Sequence, residues 1–272
     1  MTDKYAVIGN PIAHSKSPQI HKMFAAQTGQ DISYEAILAP LDGFAVTVER
    51  LRNAGYKGCN VTLPFKQNAY QLSDQKQYLS YDVVHAHAAN TLEFKSDGVH
   101  LHNTDGTGLI RDIQDNLGVP LRGKRVLLMG AGGAARGVLS PLRDAGANIT
   151  VANRTVDKAI ILAERFVVSS CSYEALAGKQ FDVVINATSA GLSDEMPPLP
   201  PGLFAPGALA YEMMYGRETP FMEFARAHGA AVVSDGLGML VEQAAESFFI
   251  WRGVRPETGP VIAALRLPRA FR

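Results

Sequence analysis

The chain of 272 residues is long enough for two domains of ordinary size, and its 47% hydrophobic and 19% charged residues are typical of globular proteins. Its formal net charge is zero and it contains no long basic run, which argues against a nucleic-acid-binding protein. No apolar segment approaches the roughly 18 residues of a membrane span and the chain does not start with a signal-peptide pattern, so we expect a cytoplasmic protein without a membrane partner.

The first part of the chain alternates between the hydrophobic patterns of strands and helices. Strands are predicted at residues 5–9, 32–39 and 58–62, and helices at residues 17–28, 44–54 and 65–72. Pro18 marks the start of the first helix and Gly29 follows its end. Residues 91–94 and 99–102 are predicted to form a hairpin around Asp97 and Gly98. Such alternation predicts a mainly parallel sheet with helices on both faces.

Residues 125–155 have the pattern of a dinucleotide-binding unit. A buried strand at 125–129 leads into GAGGAARG at residues 130–137, a helix follows through Ala145, and a second strand covers 148–152. Gly130 permits the tight turn, Gly132 lets the backbone approach a pyrophosphate, and Ala135 lets helix and strand pack closely. The amides at the helix start would hold the phosphates. The predicted cofactor-binding residues of the loop are Gly130, Ala131, Gly132, Gly133 and Ala134.

The residues after the second strand indicate which dinucleotide binds. An NAD site usually has Asp or Glu here to bind the ribose hydroxyls, but this chain has Asn153, Arg154 and Thr155. Arg154 offers a planar set of donors to a 2′-phosphate, each charge-assisted hydrogen bond contributing roughly 1.5–3 kcal/mol. We therefore predict NADP(H) as cofactor. NAD, or no nucleotide with Arg154 on the surface and Thr155 as a plain helix cap, are the alternatives.

The remaining elements and the cysteines complete the coarse prediction. Strands are expected at 181–186, 208–213 and 231–233, a proline-rich loop at 196–206, and helices at 240–251 and 260–267. Cys59 and Cys171 lie far apart on apparent core strands, which favours reduced, buried thiols over a disulfide. The fold class is therefore α/β, with two domains.

Several motifs beyond the glycine loop resemble one enzyme family. They are residues 9–18 (GNPIAHSKSP), 60–66 (NVTLPFK), 89–91 (ANT), 103–106 (NTDG), 186–189 (NATS) and 235–245 (DGLGMLVEQAA). Together with residues 130–137 and 153–155, they resemble the shikimate dehydrogenase family in order and spacing, over nearly the whole chain. The resemblance implies an oxidoreductase of aromatic amino acid and chorismate biosynthesis that reversibly reduces 3-dehydroshikimate to shikimate with NADPH.

The resemblance also implies roles for individual residues. Lys66 and Asp105 match the family's catalytic pair, with Lys66 as proton donor and Asp105 as its orienter. Ser15 and Ser17 match the serines that bind the substrate carboxylate, and Thr62, Asn90 and Gln243 match positions that bind the ring hydroxyls. Further expected site residues are Tyr215 on the substrate side and Thr188, Met213, Gly236 and Met239 on the cofactor side. Tyr215 and Met239 have the alternative of simple core packing.

The chain departs from the family pattern at His87, Ala89 and Glu212, which leaves the geometry of the substrate loop open. Two His-x-His pairs, at 85–87 and 100–102, would each point to one face if those segments are strands. We nevertheless predict no metal, because a nicotinamide reduction assisted by lysine needs none.

The resemblance implies two domains with the active site in the cleft between them. The substrate domain would comprise residues 1–104, completed by helices within 239–272, and the Rossmann-type NADP domain residues 105–238. The protein is expected to be a monomer or homodimer with a small-molecule substrate. The rivals are a quinate/shikimate dehydrogenase with relaxed substrate or NAD use, a non-catalytic NADP-binding sensor on this fold, and a methylene-tetrahydrofolate dehydrogenase.

Overall fold

The computed structural model describes residues 2–72, 78–188 and 195–267. The chain divides into two compact units, the first made of Met1–Gly108 with Leu240–Arg272 and the second of Leu109–Met239. Within the described ranges, no helix combines the length and the apolar character needed to cross a bilayer.

The first unit is built on a five-stranded sheet of order β2-β1-β3-β4-β5. Its strands are β1 (Asp3–Gly9), β2 (Ile32–Leu38), β3 (Tyr56–Val61), β4 (Thr91–Lys95) and β5 (Gly98–His102). β1 pairs in parallel with β2 and β3, and the β4–β5 hairpin continues the sheet antiparallel from β3. The predicted parallel core and the hairpin are therefore both present.

Five helices of the first part of the chain connect or follow these strands. They are α1 (Ser17–Thr28), α2 (Phe44–Asn53), α3 (Lys66–Tyr70), α4 (Tyr81–Ala86) and α5 (Asp105–Arg111), the last continuing as a π-helical turn at Asp112–Asn116. α1 has the predicted bounds, because Pro18 lies in its first turn and Gly29 adopts a φ of 64° at its end. Phe44, Val48 and Leu51 of α2 pack on the sheet with Phe65.

The second unit is a six-stranded sheet of order β11-β10-β9-β6-β7-β8, and all its pairings are parallel. Its elements are β6 (Arg125–Met129), α6 (Gly133–Asp144), β7 (Asn148–Ala152), α7 (Val156–Phe166), β8 (Ser169–Cys171), β9 (Phe181–Asn186), β10 (Phe204–Glu212), α8 (Pro220–Ala227) and β11 (Val232–Ser234). Val126 and Leu128 of β6 enter one apolar core, and Leu127 and Met129 enter the other. A strand buried on both faces explains the continuous apolar run in the sequence.

Two C-terminal helices return the chain to the first unit. They are α9 (Leu237–Arg252) and α10 (Gly259–Arg266). Val241 and Phe248 of α9 and Val261 of α10 form one buried cluster with Ile20 and Phe24 of α1. Burial of these large apolar side chains, about 1.5–3 kcal/mol for each, holds the end of the chain against its beginning.

The predicted loop at 196–206 was wrong at its end, because β10 already begins at Phe204. Phe204 pairs with Phe181, and the register then shifts before Leu209 pairs with Val183. This irregularity accommodates Pro206, which has no amide hydrogen for the ladder. Helix α8 was not predicted, although Thr219 caps it and Pro220 starts it, a recognisable sequence signal.

The expectations for the second cysteine and for one histidine pair also need correction. Cys59 is buried on β3, and burial raises the pKa of its thiol well above the usual range. Cys171, predicted to lie in the core, is only half-buried because it ends β8, a strand at the sheet edge. His85 lies in α4 and His87 has a φ of 49°, so this pair is not on a strand.

Candidate active site

The loops that carry most predicted substrate residues meet at one edge of the first sheet. β1 and β3 are parallel neighbours, so the loops that follow them leave at the same edge. The amide of Asn10 donates to the carbonyl of Leu63 at 3.1 Å, which joins the two loops directly. β4 runs antiparallel to β3, so Asn90 at its start lies at this edge too, and its carbonyl accepts from Val61 at 2.8 Å. The carboxyl edge of parallel strands is where ligands bind in open α/β sheets.

Lys66 and Asp105 form an ion pair at this edge. Lys66 is the first residue of α3 and Asp105 the first of α5, and Nζ donates to Oδ2 at 2.6 Å. Their side chains remain 29% and 13% exposed, so solvent or a small molecule can still reach the pair. The other carboxylate oxygen, Oδ1, accepts from Asn90 Nδ2 at 2.9 Å. Asp105 therefore holds the ammonium while Asn90 holds Asp105.

Asn90 is the centre of a buried polar cluster. Its Oδ1 accepts from the amide of Thr104 at 2.8 Å, and its Nδ2 lies 3.2 Å from Gln243 Oε1. Gln243 belongs to α9 and donates through Nε2 to the carbonyl of Leu240 at 2.8 Å. Thus Gln243 of α9 contacts Asn90, which also contacts Asp105. The sequence motifs predicted these residues as one site, but only by resemblance.

Ser15, Ser17 and Thr62 lie in the two joined loops. The amide of Ser17 donates to Ser15 Oγ at 3.3 Å, and Ser17 is buried at the start of α1 while Ser15 and Thr62 are half-buried. A Cβ on Gly9 would lie 2.6 Å from Thr62 Cγ2, so glycine is needed where these loops pack. Three hydroxyls thus line the same edge as Lys66.

The glycine loop of the second unit leaves room for a phosphate group. Gly130 has a φ of 106°, and a Cβ there would lie 3.0 Å from the carbonyl oxygen of Ala187. A Cβ on Gly132 would instead meet nothing within 4 Å, and Gly132, Gly133 and Ala134 are exposed. Gly132 also caps α6 without a side-chain hydrogen bond, so amides of the first turn are available to an anion. This cradle fits the pyrophosphate of a dinucleotide.

The segment after β7 carries a positive charge where NAD sites carry a carboxylate. Arg154 and Thr155 are exposed, and Asn153 Nδ2 donates to the carbonyl of Thr155 at 2.9 Å, which shapes the turn. Thr155 is the N-cap residue of α7, and its side chain makes no capping hydrogen bond. Burial raises the pKa of nearby Tyr173 to about 12, and the charge of Arg154 opposes that rise.

Thr188 is held by Asn186, which in turn is held by a buried carboxylate, Glu212, that the sequence showed only as a departure from the family pattern. The amide and hydroxyl of Thr188 donate to Asn186 Oδ1 at 3.1 and 2.7 Å, and Asn186 Nδ2 donates to Glu212 Oε2 at 2.7 Å. Glu212 also accepts from the amide of Met214 and the hydroxyl of Thr219, each at 3.0 Å. Burial raises its pKa against these donors. Ser189, the last residue of this motif, lies outside the described residues.

The other predicted cofactor-side residues cluster around Met213. A Cβ on Gly236 would lie 2.2 Å from the carbonyl oxygen of Met213, so only glycine allows this approach. Met239 is 7% exposed and belongs to the apolar core against which Met213 packs. Tyr215, predicted on the substrate side, lies in this second unit and is half-buried, and burial raises the pKa of its hydroxyl.

His87 shows how the chain accommodates one departure from the family pattern. It adopts the left-handed conformation, with a φ of 49°, in which glycine is favoured. Its ring stacks on Tyr70 with centroids 5.0 Å apart and planes at 16°. Ala89, the second departure, is fully buried, and its amide donates to the carbonyl of Lys66 at 2.9 Å. The residue before Asn90 therefore remains tied to the backbone of Lys66.

No group of three or more His, Cys, Asp or Glu side chains that could hold a metal ion occurs in the parts of the chain that the structure describes.

Family models match most of the chain. The shikimate dehydrogenase substrate binding domain matches residues 7–92, shikimate / quinate 5-dehydrogenase matches residues 112–193, and the shikimate 5′-dehydrogenase C-terminal domain matches residues 236–266.

Known proteins are similar over nearly the full length. The shikimate dehydrogenase (NADP(+)) of Aromatoleum aromaticum is 60% identical over 273 residues, covering 97% of each chain. The crystal structure of an Ael1 enzyme from Pseudomonas putida has a TM-score of 0.93 at 48% identity and covers 99% of this chain and 100% of that one. Shikimate 5-dehydrogenase from Thermus thermophilus, solved with NADP(H) and shikimate, has a TM-score of 0.87 at 34% identity, covering 97% and 99%. The predicted two-domain α/β class and the resemblance drawn from the motifs are thereby confirmed, and the chain belongs to the family of NADP-dependent shikimate dehydrogenases.

Proposed function

We propose that the protein interconverts 3-dehydroshikimate and shikimate with NADPH and NADP, as an oxidoreductase of aromatic amino acid biosynthesis. Its family membership supports the reaction. Two relatives, 60% and 58% identical to this chain, are named shikimate dehydrogenase (NADP(+)). The observation that carries the proposal is the Lys66–Asp105 pair at 2.6 Å, beside Asn90 and Gln243 at a sheet edge where ligands bind.

The residues at the edge of the first sheet match the substrate in chemistry. Shikimate has one carboxylate and three hydroxyls on a ring. Ser15 and Ser17 offer hydroxyl donors to the carboxylate, while Thr62, Asn90 and Gln243 bond the ring hydroxyls. Binding that uses every polar group discriminates strongly, because an analogue lacking one leaves a buried partner unsatisfied.

Lys66 acts at the reacting carbonyl. NADPH supplies a hydride to the ketone carbon, and the carbon–oxygen double bond gives its electron pair to the oxygen. The Lys66 ammonium stabilises the growing negative charge and transfers a proton to that oxygen, so the alcohol forms and the lysine becomes neutral. Solvent reprotonates Lys66, and in the oxidative direction the neutral amine accepts the proton. Asp105 holds the Lys66 side chain in place throughout.

The residues that would hold the cofactor lie in the second unit. Gly130, Ala131, Gly132, Gly133 and Ala134 would take the pyrophosphate, and Asn153, Arg154 and Thr155 the 2′-phosphate. Thr188, Met213, Gly236 and Met239 would line the nicotinamide side, with Tyr215 near the reacting ring. In this assignment the first unit binds the substrate and the second binds the cofactor.

One assay tests the proposal against its rivals. Oxidation of shikimate and of quinate by the purified protein is followed through nicotinamide absorbance, with NADP and with NAD. We expect fast reduction of NADP with shikimate and much slower rates for the other three combinations. Comparable rates with quinate or NAD would favour the relaxed dehydrogenase. If no combination of substrate and cofactor gives a measurable rate although NADP binds tightly, the result favours the non-catalytic sensor and contradicts the proposal.

The cellular setting follows from the same proposal. A pathway enzyme acting on soluble metabolites is expected in the cytoplasm, as a monomer or homodimer. Light scattering on the purified protein measures its mass, and a mass above that of two chains would contradict this expectation.

A further inference from the structure

A chain of hydrogen-bonded side chains runs beneath the proposed substrate site. At one end, the hydroxyl of Tyr34 on β2 donates to Asn60 Oδ1 at 2.7 Å. Asn60 on β3 then donates through Nδ2 to Thr91 Oγ1 at 3.0 Å and to Ser247 Oγ at 2.9 Å. These hydrogen bonds therefore connect β2 and β3 to the start of β4 and to α9.

Thr91 connects these hydrogen bonds to Asn90. Its hydroxyl lies 2.8 Å from Ser247 Oγ and donates to Asn90 Oδ1 at 3.0 Å. Ser247, on α9, also lies 3.0 Å from the carbonyl oxygen of Gln243, so its one proton has two acceptors, that carbonyl and Thr91 Oγ1. Thr91 and Ser247 are each 0% exposed, so neither side chain can touch a substrate.

The directions of these bonds fix the carboxamide of Asn90. The amide of Thr104 can only donate, so the Asn90 atom that it meets at 2.8 Å is the oxygen. Thr91 can donate its one proton to the same oxygen, because Asn60 Nδ2 donates to Thr91 and Ser247 Oγ, 2.8 Å away, can donate to Thr91 as well. Asn90 Nδ2 then faces Asp105 Oδ1 at 2.9 Å. A carboxamide turned over would place its oxygen against that carboxylate.

We propose that Thr91 and Ser247 are positioning residues for the reaction: with Tyr34 and Asn60 they hold the Asn90 carboxamide, which aligns Asp105 and thereby Lys66. The inference rests on the function proposed above. In this proposal Thr91 acts through the hydrogen bonds of its hydroxyl group. A residue that only fills space in the core would act through its methyl group instead.

A pair of substitutions separates these two roles. Thr91→Val keeps the volume and removes the hydroxyl, whereas Thr91→Ser keeps the hydroxyl and opens a methyl-sized gap. Loss of a buried hydrogen bond predicts that kcat/KM for shikimate falls about tenfold in Thr91→Val and by no more than about twofold in Thr91→Ser. KM for NADP should stay unchanged in both, because the proposed cofactor residues lie in the other unit. A packing role predicts the reverse order, with the serine variant worse.

Ser247→Ala adds no bulk and keeps the test decisive if Thr91→Val fails to fold. It removes one acceptor of Asn60 and one neighbour of Thr91, and we expect kcat/KM for shikimate to fall about threefold with an unchanged KM for NADP. Wild-type kinetics in Ser247→Ala and in Thr91→Val would overturn the inference and leave the proposed function standing. An inactive wild-type protein would overturn the proposed function, and the inference with it.

Discussion

At the scale of single residues, two opposite charges 39 positions apart in sequence meet at 2.6 Å. Lys66 and Asp105 each begin a short helix, and their side chains are 29% and 13% exposed. An ion pair that water can still reach on one side contributes little to stability, with a typical value of about 0–1 kcal/mol. The pair is therefore better explained by chemistry than by folding, and its removal should affect turnover more than stability.

Lys66→Met tests this assignment. Loss of the proton donor is expected to lower kcat by about a thousandfold, the middle of the range for general acid–base catalysis. Shikimate affinity by calorimetry and the melting temperature should change little, because the methionine keeps most of the side-chain volume. Lys57→Met, at an exposed lysine of β3, is the matched control and should keep wild-type turnover. Near-normal turnover in Lys66→Met would contradict the assignment.

Arg154→Gln tests the choice of cofactor. Removing the guanidinium costs a charge-assisted bond of roughly 2 kcal/mol, so KM for NADP should rise about thirtyfold. KM for NAD, which lacks the 2′-phosphate, should change less than about twofold. Arg122→Gln, at another exposed arginine of the second unit, controls for the loss of one positive charge. An equal effect on both cofactors would show that Arg154 does not bind the 2′-phosphate.

At the scale of elements, strand ends and helix starts place the chemistry. α3 begins at Lys66, α5 begins at Asp105, and α6 begins within the glycine loop. In the loop, Gly130 and Gly132 serve different purposes. Gly130 allows a backbone conformation that other residues rarely adopt, whereas Gly132 leaves an open space.

Gly130→Ala and Gly132→Ala should separate folding from cofactor binding. Gly130→Ala places a Cβ at a φ of 106° and 3.0 Å from a carbonyl oxygen, so unfolding free energy should drop by about 2 kcal/mol. Gly132→Ala meets no protein atom within 4 Å, so stability should be unchanged while KM for NADP rises at least about tenfold. Chemical denaturation and steady-state kinetics measure both. Unchanged NADP kinetics in Gly132→Ala would contradict the proposed phosphate site.

At the scale of the whole chain, helix α9 packs against helix α1 and contributes to the polar network of the first sheet. α9 supplies Gln243 and Ser247 to the polar network and Phe248 to the core around α1. His21 of α1 lies in that core, stacked on Tyr34 with ring centroids 4.1 Å apart and close to Phe248 and Trp251. Burial lowers the pKa of His21 from 6.5 to about 3.

The depressed pKa of His21 makes stability depend on pH. Below pH 6.5 the unfolded chain protonates this histidine while the folded chain does not, so protons favour unfolding. The stabilisation is present above pH 6.5 and lost as the pH falls towards about 3, at up to about 1.4 kcal/mol per pH unit. His21→Phe should remove about 2 kcal/mol of the decline between pH 6.5 and 5, measured by urea unfolding. His14→Phe, at an exposed histidine, should retain the wild-type slope, and an equal slope in all three proteins would contradict the prediction.

Local patterns determined much of the fold. The bounds of α1, the hairpin of β4 and β5, and the strand, glycine loop and helix of residues 125–144 follow from hydrophobic period, proline and glycine. α8 was missed although its capping signal was present. Cys171 was misplaced because the sequence of a short strand does not say whether that strand lies at the centre or the edge of a sheet.

By itself, the sequence predicted the nucleotide-binding unit and its preference for NADP, because the glycine loop and Asn153–Arg154–Thr155 are local features whose proposed roles depend on the nearby backbone. The motifs also named Lys66, Asp105, Asn90 and Gln243, but only by resemblance. Only the tertiary structure shows that Asn90 contacts Gln243, 153 residues away, and that Thr91 lies within hydrogen-bond distance of both Asn90 and Ser247. Hydrogen bonds depend on distance and direction in space, and spacing along a chain specifies neither.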